Sequence, residues 1–338
     1  MIRVLALLVL AAAAAHAEPL RVCATTPDLA SITTGVGGPD VTIVTFARGT
    51  EDPHFVEAKP SFVRDLSRCQ LLVLNGLEVE IGWLPALLDQ ARNAAVRPGG
   101  PGYLDAATAI TPAEVPSGTV DRSMGDVHPY GNPHYLTDPM NGLRVAGAVR
   151  DRLARLVPEQ AAAFGTRYDA FRTAVGTKLL GETLVQKYAE WEKLVQLADY
   201  DKLDAFLAGA GDAGALGGWL GAMRPYRGTK AVDDHPLWPY FARRFGLVVV
   251  GHMEPKPGIP PTTRHLAELI ELMQAQDVRL ILAASYYDPR HARFLAEHTQ
   301  AKVVALANQV GSRPGVDDYL AVTDWNVSHV VDALAGRG

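Results

Sequence analysis

The chain has 338 residues, 48% of them apolar, a mean hydropathy of +0.03 and a formal net charge of −5. That is enough length for two domains with their own cores, too apolar for a disordered chain and too evenly mixed for a membrane protein. An acidic balance argues against nucleic acid, which asks for a basic face.

The first residues, Met1-Ile2-Arg3, precede an apolar run, Val4–Leu10, and a string of alanines ending in Ala15-His16-Ala17. A basic start, a short apolar core and a small-x-small end predict a secretory leader over 1–17, with the mature chain beginning at Glu18. The run is too short to span a bilayer, and no cysteine follows it at a lipidation position, so the reading is a free periplasmic protein. Losing Arg3 and no acid takes the formal charge from −5 to −6. Cys23 and Cys69 are the only cysteines. An oxidising compartment permits a disulfide between them, with two buried free thiols the alternative. The lack of any Cys-x-x-Cys argues against a thiolate zinc site.

From Glu18, strand-like runs at Arg21–Ala24, Val41–Ala47 and Cys69–Asn75 alternate with helical runs at Leu29–Val36, Pro60–Arg68, Gly82–Asn93 and Asn141–Leu156. Such β-α-β-α order predicts a parallel, helix-covered sheet. From Pro158, Phe164, Tyr168, Phe171, Val175 and Leu179 recur at helical spacing, predicting one long connecting helix over Pro158–Leu180. Gly165, Gly176 and Gly181 weigh against it, each by about 1 kcal/mol in a helix interior. A second helical stretch is expected over Lys187–Leu207, and a glycine-rich loop over Gly209–Gly218.

The alternation then resumes. Strands are expected at Thr229–Asp233, Leu247–Met253, Val278–Ser285 and Ala301–Asn308, and helices at Leu237–Phe245, Thr262–Gln276, Pro289–Thr299 and Tyr319–Ala335. The fold class is therefore α/β: two β/α lobes with parallel sheets, joined by a long rigid backbone helix. The expected division is an N-terminal lobe over 18–157, the linking helix over 158–190 and a C-terminal lobe over 191–338.

Open α/β sheets bind ligands where loops gather at the carboxyl ends of their strands. His54 follows the second strand-like run, His235 follows Thr229–Asp233, and Asp288 follows Val278–Ser285 across Tyr286-Tyr287. His134 lies in Gly131-Asn132-Pro133-His134-Tyr135, which is turn chemistry. Singly, each is an ordinary loop residue. Together, three imidazoles and a carboxylate match a tetrahedral zinc site. His128 is a possible auxiliary ligand, and His252, His265, His291, His298 and His329 read as ordinary. Glu78 and Glu80 read as structural ion pairs or solvated contacts. Gly209-Ala210-Gly211-Asp212-Ala213-Gly214 spells a dinucleotide fingerprint, but it follows a helical run rather than a strand and is a chance match.

Four ordered segments carry a resemblance: Asp52-Pro53-His54-Phe55-Val56-Glu57-Ala58-Lys59-Pro60-Ser61, Asn75-Gly76-Leu77-Glu78-Val79-Glu80, Asn132-Pro133-His134-Tyr135-Leu136-Thr137-Asp138-Pro139, and His235-Pro236-Leu237-Trp238-Pro239-Tyr240-Phe241. Over nearly the whole mature chain they resemble the solute-binding proteins of zinc and manganese ABC importers, the metal-binding cluster A-I family. The resemblance implies metal ligands at His54, His134, His235 and Asp288, with Zn²⁺ as transported ligand rather than resident cofactor. It also implies an inner-membrane ABC permease as partner, with a periplasmic metallochaperone as a further partner and a monomeric state. Histidine at the third position points to zinc, where glutamate would point to manganese or iron, in line with imidazole's preference for zinc.

The chain departs from the family in lacking a long histidine- and acid-rich loop before His134, where only His128 appears between Thr111 and His134. The stretch 182–222 is also longer than a minimal member needs, and a helical hairpin packed on the connecting helix is expected there. Three rivals stand beside zinc capture. They are manganese or ferrous iron in the same fold, a secreted zinc hydrolase with three protein ligands and an open position, and a binder of an organic ligand or chelate in an aromatic-lined cleft.

Overall fold

The computed structural model describes residues 18–118, 128–256 and 258–337. The leader read over 1–17 lies outside them. The first sheet is built from β1 (Leu20–Ala24), β2 (Val41–Thr45), β3 (Leu71–Leu74) and β4 (Tyr103–Asp105), all parallel, in the order β2-β1-β3-β4. Helices α1 (Pro27–Gly37), α2 (Pro60–Arg68), α3 (Leu84–Ala91) and α4 (Pro139–Leu156) accompany it. Leu71, Leu72 and Val73 are fully buried, as expected of a strand covered on both faces.

The middle of the chain is helical: α5 (Ala161–Leu180), α6 (Glu182–Lys187), α7 (Glu192–Asp199), α8 (Leu203–Gly209) and α9 (Gly218–Met223). A 3-10 turn at Pro158–Gln160 leads into α5, which at 20 residues is about 30 Å long. It packs on α1 and α4 to one side and on α7 and α9 to the other. Two of the glycines that weighed against it have reasons. A Cβ on Gly176 would come within 2.6 Å of the Trp191 ring, and Gly181 ends the helix at φ +88°. Gly165 has open space around it, and nothing in the structure explains it. The single helix expected over Lys187–Leu207 is broken. Asp201 takes a left-handed turn at φ +55° and the Lys202 N–H bonds the Leu197 carbonyl at 2.8 Å, which closes α7 and starts α8 afresh.

The second sheet repeats the topology of the first. Its strands β5 (Lys230–Asp233), β6 (Val248–His252), β7 (Leu280–Ala283) and β8 (Lys302–Ala305) are parallel in the order β6-β5-β7-β8. Around it lie α10 (Pro239–Phe245), α11 (Thr263–Ala275), α12 (Pro289–His298) and α13 (Tyr319–Ala335). Among the described residues no helix is long and apolar enough to cross a membrane.

The expected two-lobed α/β fold is therefore present, and the lobes are fastened to each other. Arg244 of α10 makes a buried two-pronged bond, both arms 2.9 Å, to Asp138, the N-cap of α4, and also pairs with Asp199 at the end of α7. The Val310 N–H bonds Asp28 at 2.7 Å, and the Tyr319 hydroxyl bonds the Leu136 carbonyl at 2.7 Å. Cys23 of β1 and Cys69, just after α2, are joined as a disulfide with 6.1 Å between Cα atoms. Glu80 is neither ion-paired nor solvated. It is buried, and accepts hydrogen bonds from the Thr25 hydroxyl and from the backbone N–H groups of Asn75 and Gly76.

Candidate metal centre

His54 lies in a 3-10 turn, Pro53–Phe55, after β2. Asp52 Oδ1 accepts both the backbone N–H of His54, at 3.0 Å, and its ring Nδ1, at 2.7 Å. The intervening Pro53 has no N–H to compete for that oxygen. Because a carboxylate only accepts, Nδ1 carries the ring proton and Nε2 keeps its lone pair. Burial works to raise Asp52, but the hydrogen bonds and charge of His54 outweigh it and hold the carboxyl below its ordinary value.

His134 repeats the device eighty residues on. Asn132 Oδ1 accepts the backbone N–H of His134 at 2.9 Å and lies 3.1 Å from its Nδ1. The other end of the amide donates to Glu114 Oε2 at 2.9 Å and to the Pro236 carbonyl at 2.6 Å. Those acceptors fix which end of the amide is oxygen, and so put the ring proton of His134 on Nδ1 as well. Its Nε2 is closed off from solvent and has no hydrogen-bond partner among the described residues. Burial first, then the nearby His235, His54 and His128, drive the His134 pKa well below 6.5, so the ring is neutral.

His235 follows β5 and is buried, with its Nδ1 2.9 Å from Glu254 Oε2. Glu254 comes from the loop after β6 and also accepts the Gly258 N–H at 2.9 Å. Glu254, Asp52 and Asn132 are residues to which sequence reasoning gives no role of their own. For Asp52 and Asn132 a signal is present, the repeated Asx-Pro-His triplet; for Glu254 there is none, since sheet pairing alone brings β6 beside β5.

The three imidazoles face one cavity of about 410 Å³, which Asp52, Phe55, Glu254, Tyr286 and Tyr287 also line. Ring centres lie 5.8 Å apart for His54 and His134 and 5.3 Å for His134 and His235. Imidazoles bonded at about 2.0–2.1 Å to one tetrahedral ion have centres about 5 Å apart, so the pairs are spaced for a shared ion. Their nitrogens stop short of converging on a single point. Among the described residues no group of three or more His, Cys, Asp or Glu is already arranged to hold a metal.

Asp288 is not brought to this cavity. It sits in another Asx-Pro triplet, Asp288-Pro289-Arg290, where the residue two positions on is arginine. Its carboxylate caps α12 through the Arg290 N–H at 2.9 Å and binds the Arg290 guanidinium, with Oδ2 2.8 Å from Nε. Those bonds hold the carboxyl down at about 2. His128 lies against His54, its Nε2 3.0 Å from His54 Nε2 and its ring centre 5.0 Å away. His252 pairs with Asp233 at 2.5 Å instead.

A family model described as the periplasmic zinc-uptake complex component A, ZnuA, matches residues 22–182 and 221–333. The interval it leaves out holds α7 and α8. A crystal structure of ZnuA is 22% identical, covering 94% of this chain and 99% of that one, with a TM-score of 0.64. The laminin-binding adhesin Lmb of Streptococcus agalactiae is 20% identical over 93% and 99%, at a TM-score of 0.68. FpvC of Pseudomonas aeruginosa, in complex with Mn²⁺, is 18% identical over 95% and 100%, at 0.66. The chain belongs to the zinc-uptake component A family, the metal-binding periplasmic solute-binding proteins of ABC importers.

Proposed function

We propose that this family member captures Zn²⁺ in the periplasm, holds it through the Nε2 atoms of His54, His134 and His235, and delivers it to an inner-membrane ABC permease. The observation that carries the reading is the common state of the three rings. Each has its Nδ1 tied to an oxygen, of Asp52, Asn132 or Glu254, which places the ring proton there and leaves Nε2 with the lone pair a metal needs. Metal-bound histidines are held in this way, with a carboxylate or carbonyl behind the ring fixing the tautomer and raising its basicity. His134 makes the case strongest, because an unpartnered buried nitrogen costs stability until something occupies its lone pair.

A nitrogen-rich set favours zinc over manganese, which prefers carboxylate oxygen. Manganese in this fold is the second reading, supported by FpvC with Mn²⁺. The ions are told apart by elemental analysis of protein purified without chelator, then titration of Mn²⁺ against bound Zn²⁺. We expect zinc to co-purify and to resist manganese, and His134→Ala to weaken zinc binding more than about 100-fold, beyond the loss typical of second-sphere changes. Zinc affinity unchanged in His54→Ala, His134→Ala and His235→Ala alike would remove the site. Because the ligands must be neutral, affinity falls as the histidines protonate.

A further inference from the structure

The interval that the family model leaves out, 183–220, is an excursion that closes on itself. The Gly217 N–H bonds the Leu180 carbonyl at 2.9 Å, and a Cβ on Gly181 would come within 3.2 Å of the Gly217 Cα. The chain returns to where it left, so the path from α5 to α9 asks for nothing in between. Yet the excursion is no loose appendage. Its Trp191, Leu194 and Val195 are buried in one core with Met140 of α4 and with Trp238 and Phe241, which follow His235. Trp191 closes over Gly176 of α5, and Arg172 of α5 lies over the Trp191 ring while its Nη2 bonds Glu192 Oε2 at 2.6 Å.

From that seat α7 delivers Asp199 to Arg244. The guanidinium of Arg244 is buried. Its Nε and Nη2 bond the two oxygens of Asp138 at 2.9 Å each, and its Nη1 bonds Asp199. The group is planar and rigid, so an acceptor that holds Nη1 also fixes where the Nε–Nη2 edge points. Without Asp199, Nη1 would be a buried donor short of a partner, and the plane would turn to find one. Both ends of this fork lead to a histidine of the cavity. Asp138 is held to His134 by a single turn, in which the Thr137 hydroxyl and N–H bond the His134 carbonyl at 2.8 and 3.2 Å. Arg244 belongs to α10, and just before that helix the Leu237 N–H bonds the His235 carbonyl at 2.5 Å.

We propose that the segment 182–217 is a brace that sets the spacing of His134 and His235 before the ion arrives, and that Asp199 is the positioning residue through which it acts. This rests on the zinc-capture reading above. Two rings already standing 5.3 Å apart need less ordering when zinc binds, and a smaller ordering cost appears as tighter binding. Asp199 acts through Arg244 rather than on the ion.

The test follows two readouts on the full mature chain. One is zinc affinity by chelator competition. The other is the spread of lobe-to-lobe distances by pulsed electron paramagnetic resonance, with spin labels at the exposed sites Asp89→Cys in α3 and Arg264→Cys in α11. We expect Asp199→Ala to weaken zinc binding about tenfold and to broaden the distances in the zinc-free protein, with zinc narrowing them again. Asp199→Asn keeps an oxygen facing Nη1 and should restore both. Leu295→Ala, at a buried leucine of α12 in a separate core, should lower the melting temperature and move neither readout. Zinc-free distances as narrow in Asp199→Ala as in the unaltered chain, or readouts shifted as far by Leu295→Ala, overturn the proposal. Should Asp199→Ala not fold, Arg244→Lys puts the same question, because it keeps the buried charge and loses the fork. Broadened zinc-free distances are expected there, and unchanged ones overturn the brace. The two readings fail separately. If zinc affinity survives His54→Ala, His134→Ala and His235→Ala alike, capture falls, while the zinc-free distances still judge the brace.

Discussion

In the first half of the molecule, His54 and His134 are each steadied by a residue two positions earlier, Asp52 and Asn132, across a proline. In the second half, His235 is steadied by Glu254, 19 positions later and on the neighbouring strand's loop. The second half has an Asx-Pro triplet too, at Asp288, but its partner two positions on is Arg290. A local device therefore presets two rings as soon as their turns form, whereas the third depends on β5 and β6 pairing correctly. The same triplet serves a metal-facing histidine or a helix cap, depending only on the residue that follows the proline.

The sharpest way to break the contrast is at the joint between the halves. Arg244 ties α10, close after His235, to Asp138, close after His134, and the bond is buried. Removing one partner of a buried pair leaves the other charge uncompensated. Arg244→Ala should therefore cost about 3–5 kcal/mol of folding stability, read by chemical denaturation, together with weaker zinc binding. A loss below about 1 kcal/mol would show the tie to be incidental.

A smaller effect separates the two ways of steadying a ring. Asp52→Ala and Glu254→Ala should each weaken zinc binding by about 10–100-fold. Asp52→Asn should retain most of the affinity, because Asn132 already performs the same task at His134. Isothermal titration of the three variants checks this, and an Asn variant as weak as the Ala variant would mean that charge, not orientation, is what Asp52 supplies.

The smallest effect is a dependence on pH at the interface. Asp28 of α1 accepts the Val310 N–H from the other half, and burial lifts its pKa from 3.8 to about 7. The folded state then holds a proton that the unfolded state releases above 3.8. Stability from this group is present at low pH and is lost as pH rises through 7, with a slope of at most about 1.4 kcal/mol per pH unit. Asp28→Asn should flatten that slope in denaturation curves taken from about pH 3 to about pH 8, a window that brackets both values. A slope unchanged by the substitution would assign it to another group.

The short apolar runs and helical periodicities suffice for seven of the eight strands, for the parallel two-lobed fold and for the long helix, because strands and amphipathic helices each leave a local pattern of apolar residues. β4 escapes them, since Tyr103–Asp105 is only three residues long and pairs solely because β3 lies beside it. The break between α7 and α8 escapes them too, as it rests on one left-handed aspartate inside an otherwise helical run. The position of His54, His134 and His235 at strand ends or in a turn is legible in the chain, and the structure gathers them in one cavity.

What the chain determined by itself was the list of nitrogen donors and the local turns that aim two of them, for those depend on neighbours two residues away. Which carboxylate stands behind His235, where Asp288 points and that His128 meets His54 were decided only by tertiary structure. Each depends on segments far apart in the chain or on the packing around them, brought together by sheet pairing and by the buried ties between the lobes, and no local pattern carries that information.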